Sequence, residues 1–146
     1  MFTRMEELKN RIKKHEGFRD TVYYDHLGNA TVGYGHLVTS DDNFKSGVTY
    51  DKELLEEVFE KDFDYAKQAA DRISKDLPIS YIARGVLIEM CFQLGEAGVS
   101  KFKKMLGALQ IPNYDTAADE MLDSKWHQET PKRCEELSEI MRKADI

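Results

Sequence analysis

Met5, Leu8, Ile12 and His15 recur at three- and four-residue spacing, which predicts a helix over residues 3–16, and Gly17 supplies the residue that ends many helices. From Phe18 the period changes. Val22-Tyr23-Tyr24 and Ala30–Tyr34 read as strands around the turn Leu27-Gly28-Asn29, with a short third strand over 36–39. A sheet this small needs helices to lean on. Beyond the polar loop 40–47, Leu54, Leu55, Val58, Phe59, Phe63, Ala66, Ala70 and Ile73 share one face of a long helix that breaks at Leu77-Pro78. Thr49 is its expected N-cap, with Asp51 and Glu53 in the first turn. The opposite face is acidic and reads as solvated surface. Residues 80–94 are apolar almost all round, as in a helix central to a core, and Gly95 and Gly98 punctuate the chain just beyond them. Further helices are predicted over 99–109, 114–123 and 131–143, started by Ser100, by Asn113 or Asp115, and by Thr130-Pro131. The fold class is α+β: a small antiparallel sheet lobe joined by a long helix to a mostly helical lobe.

A chain of 146 residues with 41% hydrophobic content is long enough for one domain with a sizeable core. Its net charge of −6 excludes nucleic acid as the main partner, because phosphate binding needs clustered Lys and Arg. The acidic excess is local. Residues 37–77 hold six Lys/Arg against eleven Asp/Glu, whereas residues 1–36 hold six against five. The amino-terminal stretch MFTRMEELKNRIKKHEG is charged throughout and has no apolar run, so neither a signal peptide nor membrane insertion is expected, and the chain is expected to be made in the cytosol. Two cysteines, Cys91 and Cys134, are too few for a disulfide framework or a metal cluster, and Cys91 reads as a small buried thiol.

Polar chemistry concentrates in residues 15–36, HEGFRDTVYYDHLGNATVGYGH. Glu16 falls in the last turn of the first helix, facing the negative end of the macrodipole at a cost of about 0.3–1 kcal/mol if exposed. Asp25 follows the first strand, and Thr31 lies on its partner, where a hairpin brings hydroxyl and carboxylate close. One carboxylic acid, one carboxylate and a hydroxyl able to hold water form the minimum apparatus of a glycosidase. Residue types alone leave a second reading open, hairpin charges with a capping threonine, since Asp and Glu pairs are common. His15, Asp25, His26 and His36 have no H-x-x-x-H or C-x-x-C spacing, and no metal or cofactor is expected.

The order Glu16-Gly17, Tyr24-Asp25, Gly28, Thr31-Val32-Gly33-Tyr34-Gly35-His36-Leu37 resembles the catalytic region of the phage-type lysozymes, the muramidase endolysins. The resemblance extends through Val58–Asp64, Cys91–Val99 and Ser124–Arg133, four ordered motifs that span most of the chain. It implies one lysozyme-like domain over 1–146, with lobes of about 1–60 and 61–146 and the first helix available to pack on the second lobe. The implied partner is bacterial peptidoglycan, held in a cleft between the lobes. The implied reaction is hydrolysis of the β-1,4 bond between N-acetylmuramic acid and N-acetylglucosamine. By position, Glu16 is the general acid, Asp25 the second carboxylate and Thr31 the holder of the attacking water, while Leu37, Phe92 and Gln93 touch substrate. The family implies inversion, which needs roughly 6.5–9.5 Å between the carboxyl groups. His36 is expected to pair with Asp62, and Arg133 to approach Glu16. The chain is expected to be monomeric, to stay in the host cytoplasm until a holin opens the membrane, and then to act on the periplasmic cell wall.

Some positions depart from the family pattern. Met105 and Glu120 stand where the family has small polar groups near the sugar, the loop 38–48 is short, and the acidic surface weakens attraction to anionic cell walls. The alternative function is a catalytically silent peptidoglycan- or protein-binding module on the same scaffold. Retention of Glu16, Asp25 and Thr31 together favours the enzyme.

Overall fold

The computed structural model describes residues 3–145, with three strands and seven helices in the order α1(Arg4–Glu16), β1(Arg19–Tyr24), β2(Ala30–Gly33), β3(His36–Leu37), α2(Lys52–Ile73), α3(Tyr81–Ser100), α4(Lys103–Leu109), α5(Tyr114–Leu122), α6(Lys125–Glu129) and α7(Pro131–Arg142). The fold is α+β. Two compact units divide it, Met1–Asp64 and Tyr65–Ile146, and α2 runs from one into the other.

In the first unit α1 opens with a capping box: the Thr3 hydroxyl accepts from Glu6 N at 3.1 Å, and Glu6 Oε2 accepts from Thr3 N at 2.8 Å. Gly17, at φ 72°, ends it one residue after Glu16. The sheet is antiparallel in the order β1-β2-β3, with Tyr23 opposite Thr31 and Thr31 opposite Leu37. Aromatic side chains tie hairpin to helix. Tyr34 packs on Phe18 and Phe59 at centroid distances of 4.9 and 5.5 Å, and Lys13 lies 5.0 and 4.8 Å over the Tyr34 and Phe59 rings. Glu56 accepts from both Lys13 Nζ (2.6 Å) and the Tyr34 hydroxyl (2.8 Å), so α1, the turn after β2 and α2 meet at one carboxylate.

Helix α2 begins later than its sequence suggests. Thr49 is not its cap; the first helical residue is Lys52, and the Asp51 carbonyl accepts from Leu55 N at 3.2 Å. The reason is a tether that local sequence does not show: Tyr50 N donates to Asp20 O of β1 at 2.9 Å, which ties residue 50 to the sheet ahead of the helix.

In the second unit α3 is the central helix, burying Ala83, Val86, Leu87, Ile88, Glu89 and Met90. Gly95, at φ 78° and ψ 164°, interrupts it, after which the helix resumes to Ser100. Ser100 therefore closes α3 and does not start α4, which follows Phe102. Asn113 caps α5 as expected, its side chain accepting from Thr116 N at 3.0 Å. The short α6 was not expected; Ser124 caps it by accepting from His127 N at 3.2 Å, which places Trp126 in the core. Cys91 and Cys134 are free and buried, and burial pushes the Cys91 thiol up to about 12. No helix among the described residues is long and apolar enough to cross a membrane.

Candidate active site

Glu16 and the hairpin are brought together by Gly35. At φ +73° this residue adopts backbone that side chains rarely tolerate, and a Cβ built there would collide with Glu16 Oε1 and approach Glu16 Cδ to 2.9 Å. The half-buried Glu16 side chain therefore lies against bare backbone just beyond β2.

The turn after β1 is organised around Asp25. Its Oδ1 accepts from Leu27 N at 2.9 Å and Asn29 N at 2.8 Å, an Asx-type turn that fixes the carboxylate. These backbone donors, Asn29 first, hold its carboxyl below the usual aspartate range. Gly28, at φ +83°, lets the turn close. The Asn29 carbonyl then collects two donors, Asp25 N at 3.0 Å and Thr31 Oγ1 at 2.9 Å. The hairpin thus links Thr31 to Asp25 through a shared carbonyl. The almost fully buried Thr31 hydroxyl gives its proton to Asn29, which leaves its oxygen lone pairs to accept from a water.

The remaining sequence-derived residues divide by role. Leu37, 53% exposed on β3, offers open apolar surface beside Thr31. Phe92 is half-buried on α3. The Gln93 amide is engaged at both ends, accepting from Trp126 Nε1 at 3.0 Å and donating to Thr130 Oγ1 at 3.1 Å, so it fixes Trp126 and the start of α7 before any sugar arrives. Arg133 Nε donates to Glu89 Oε2 at 2.9 Å inside the second unit. Met105 and Glu120 line a groove of about 620 Å³ in that unit, together with Leu94, Phe102 and Trp126.

His36 pairs with Asp62, Nδ1 to Oδ2 at 2.7 Å. Sequence reasoning missed its second partner: Nε2 meets Asp42 Oδ2 at 2.9 Å, and the same oxygen accepts from Thr39 N at 2.8 Å. The Asp62 hydrogen bond, helped by Asp42 and opposed by burial, raises the imidazolium to about 9. A ring lodged between two carboxylates must donate from both nitrogens, which only the charged form does. Nothing in the spacing of Asp42 marks it, because the contact depends on how the loop after β3 folds back.

Glu16 at a helix end, seated against the hairpin that carries the ionised Asp25 and the Thr31 hydroxyl, supplies the residue types that a glycoside hydrolase uses. The family follows from comparison: residues 13–145 match Phage lysozyme, and the chain belongs to that family as a glycoside hydrolase of peptidoglycan. It is 30% identical to "Probable T4-type lysozyme 2" of Dictyostelium discoideum over 88% of this chain and 89% of that one. It is 29% identical to the endolysin of Salmonella phage P22 over 77% and 76%. With the pre-baseplate central spike protein Gp5 of Enterobacteria phage T4 it shares 28% identity, covering 89% of this chain and 26% of the spike protein.

Proposed function

We propose that the chain hydrolyses the β-1,4 bond between N-acetylmuramic acid and N-acetylglucosamine with inversion, as the endolysin that opens the wall of a bacterial host. Glu16 is the general acid, protonating the leaving glycosidic oxygen. Asp25 is the base: its backbone donors keep it ionised, and it takes a proton from the water that attacks the opposite face of the sugar. Thr31 accepts the other hydrogen of that water and so aims its lone pair. Leu37 and Phe92 contact the sugar. Gln93 contributes through its remaining N–H and lone pair. The observation that carries this reading is the seat of Glu16 on Gly35, which joins the acid to the hairpin of Asp25 and Thr31.

Host lysis is supported by similarity to the P22 endolysin, and access to the wall through a holin accompanies that role. The protein acts as a monomer, waits in the host cytoplasm and works on the periplasmic wall.

Turbidity clearing of a peptidoglycan suspension tests the chemistry. Wild type clears it and Glu16→Gln does not; equal clearing by both proteins overturns the assignment of the acid. The anomer formed first, read by NMR, tests the stereochemistry: α supports inversion, and β excludes it.

A further inference from the structure

Tyrosines buried or half-buried in the described chain have work for their hydroxyls. That of Tyr34 donates to Glu56, that of Tyr50 accepts from Lys45 N at 2.6 Å, and that of Tyr114 accepts from Ser80 N at 3.0 Å. Tyr23 differs. It is half-buried, yet its hydroxyl makes no hydrogen bond to any described residue. Its ring is nonetheless held, with the Arg19 guanidinium carbon 4.7 Å from the centroid.

Its position is informative. Tyr23 on β1 stands opposite Thr31 on β2, which stands opposite Leu37 on β3, so the three form one row across the sheet on one face. The phenol lies within the fields of both Glu16 and Asp25, and burial first, then Glu16, push its ionisation up, so it keeps its proton as a donor. A fixed, protonated, unengaged hydroxyl, on a side chain in one cross-strand row with Thr31 and the exposed Leu37, is placed for a ligand oxygen.

We propose that Tyr23 is a substrate-positioning residue whose phenol donates a hydrogen bond to an oxygen of the sugar ring undergoing attack. This rests on the glycosidase reading above. Because positive charge grows on the ring carbon and ring oxygen during attack, the phenol serves an exocyclic oxygen of that ring, and holding the ring in place as it flattens acts mainly on kcat.

The test compares intact wild type with Tyr23→Phe on a soluble N-acetylglucosamine–N-acetylmuramic acid oligosaccharide. The expected result is a roughly three- to tenfold fall in kcat with KM nearly unchanged. The limbs of the pH–rate profile and the thermal midpoint should stay in place. A Tyr23→Phe protein with wild-type kcat and KM overturns the proposal. A second measurement does not depend on how that variant folds: the 13Cζ signal of Tyr23 in Glu16→Gln protein, titrated with the same oligosaccharide. Movement of that signal, against a still Tyr65 control, supports the contact; a still Tyr23 signal while Leu37 methyls shift overturns it. A wild type that leaves the oligosaccharide and peptidoglycan intact defeats the glycosidase reading instead, and the titration still reports on Tyr23.

Discussion

Asp25 and Glu89 are both carboxylates satisfied by nitrogen donors, and they serve opposite ends. Asp25 sits at the surface of the hairpin, where two backbone N–H groups on one oxygen help keep it charged. Glu89 is fully buried in α3, and Arg133, only 9% exposed, reaches it from α7. Backbone donors cannot move away, so they hold a charge ready for a partner that comes and goes. A buried ion pair must be matched by its own counter-charge, and losing either member costs the other a charged partner away from water. At these two positions the hairpin presents a charge, and the central helix hides one.

That contrast breaks cleanly under substitution. Asp25→Asn should cut activity roughly 10²–10⁴-fold, the usual worth of a general base, while its amide oxygen still caps the turn and the thermal midpoint barely moves. Turbidity assays beside calorimetry decide it; a large drop in midpoint would show that Asp25 also holds the fold. Glu89→Ala should do the reverse, costing about 3–5 kcal/mol in denaturant unfolding while protein that remains folded keeps its catalytic pH profile.

His36 lies between these extremes, a charge at the surface gripped from two sides. Its folded pKa of about 9 stands above the ordinary 6.5. The stabilisation is therefore full below about pH 6.5 and disappears as pH rises through 9, on the order of 3 kcal/mol in all. Asp62→Asn should remove the larger part, seen as a lower His36 titration midpoint by NMR and a flatter loss of stability above pH 7. An unmoved titration would assign the grip to Asp42. Smallest is Gly35→Ala, where left-handed backbone costs about 1–2 kcal/mol. Its fall in activity should exceed that stability loss, because the new Cβ displaces the Glu16 carboxyl.

How far the sequence can be read depends on the range of the forces involved. The span of α1, the hairpin with its turn at Gly28 and the Asn113 cap are set by neighbours a few residues apart, and periodicity shows them. The start of α2 is fixed by Tyr50 N reaching back to Asp20, and the second hold on His36 by Asp42 folding over from a loop. Both escaped local reasoning because they are tertiary hydrogen bonds. Glu16, Asp25 and Thr31 stood out through family resemblance, whereas Tyr23 looked like any strand aromatic. Its distinction is an unengaged hydroxyl, and only a count of partners reveals that.

The two thiols bear on where such a protein can work. Cys91 and Cys134 are buried, unpaired and held protonated by their surroundings. No step of folding waits for an oxidant, and no exposed thiolate invites one. The same native structure is therefore compatible with a reducing compartment and an oxidising one, and passage between them asks for no covalent change.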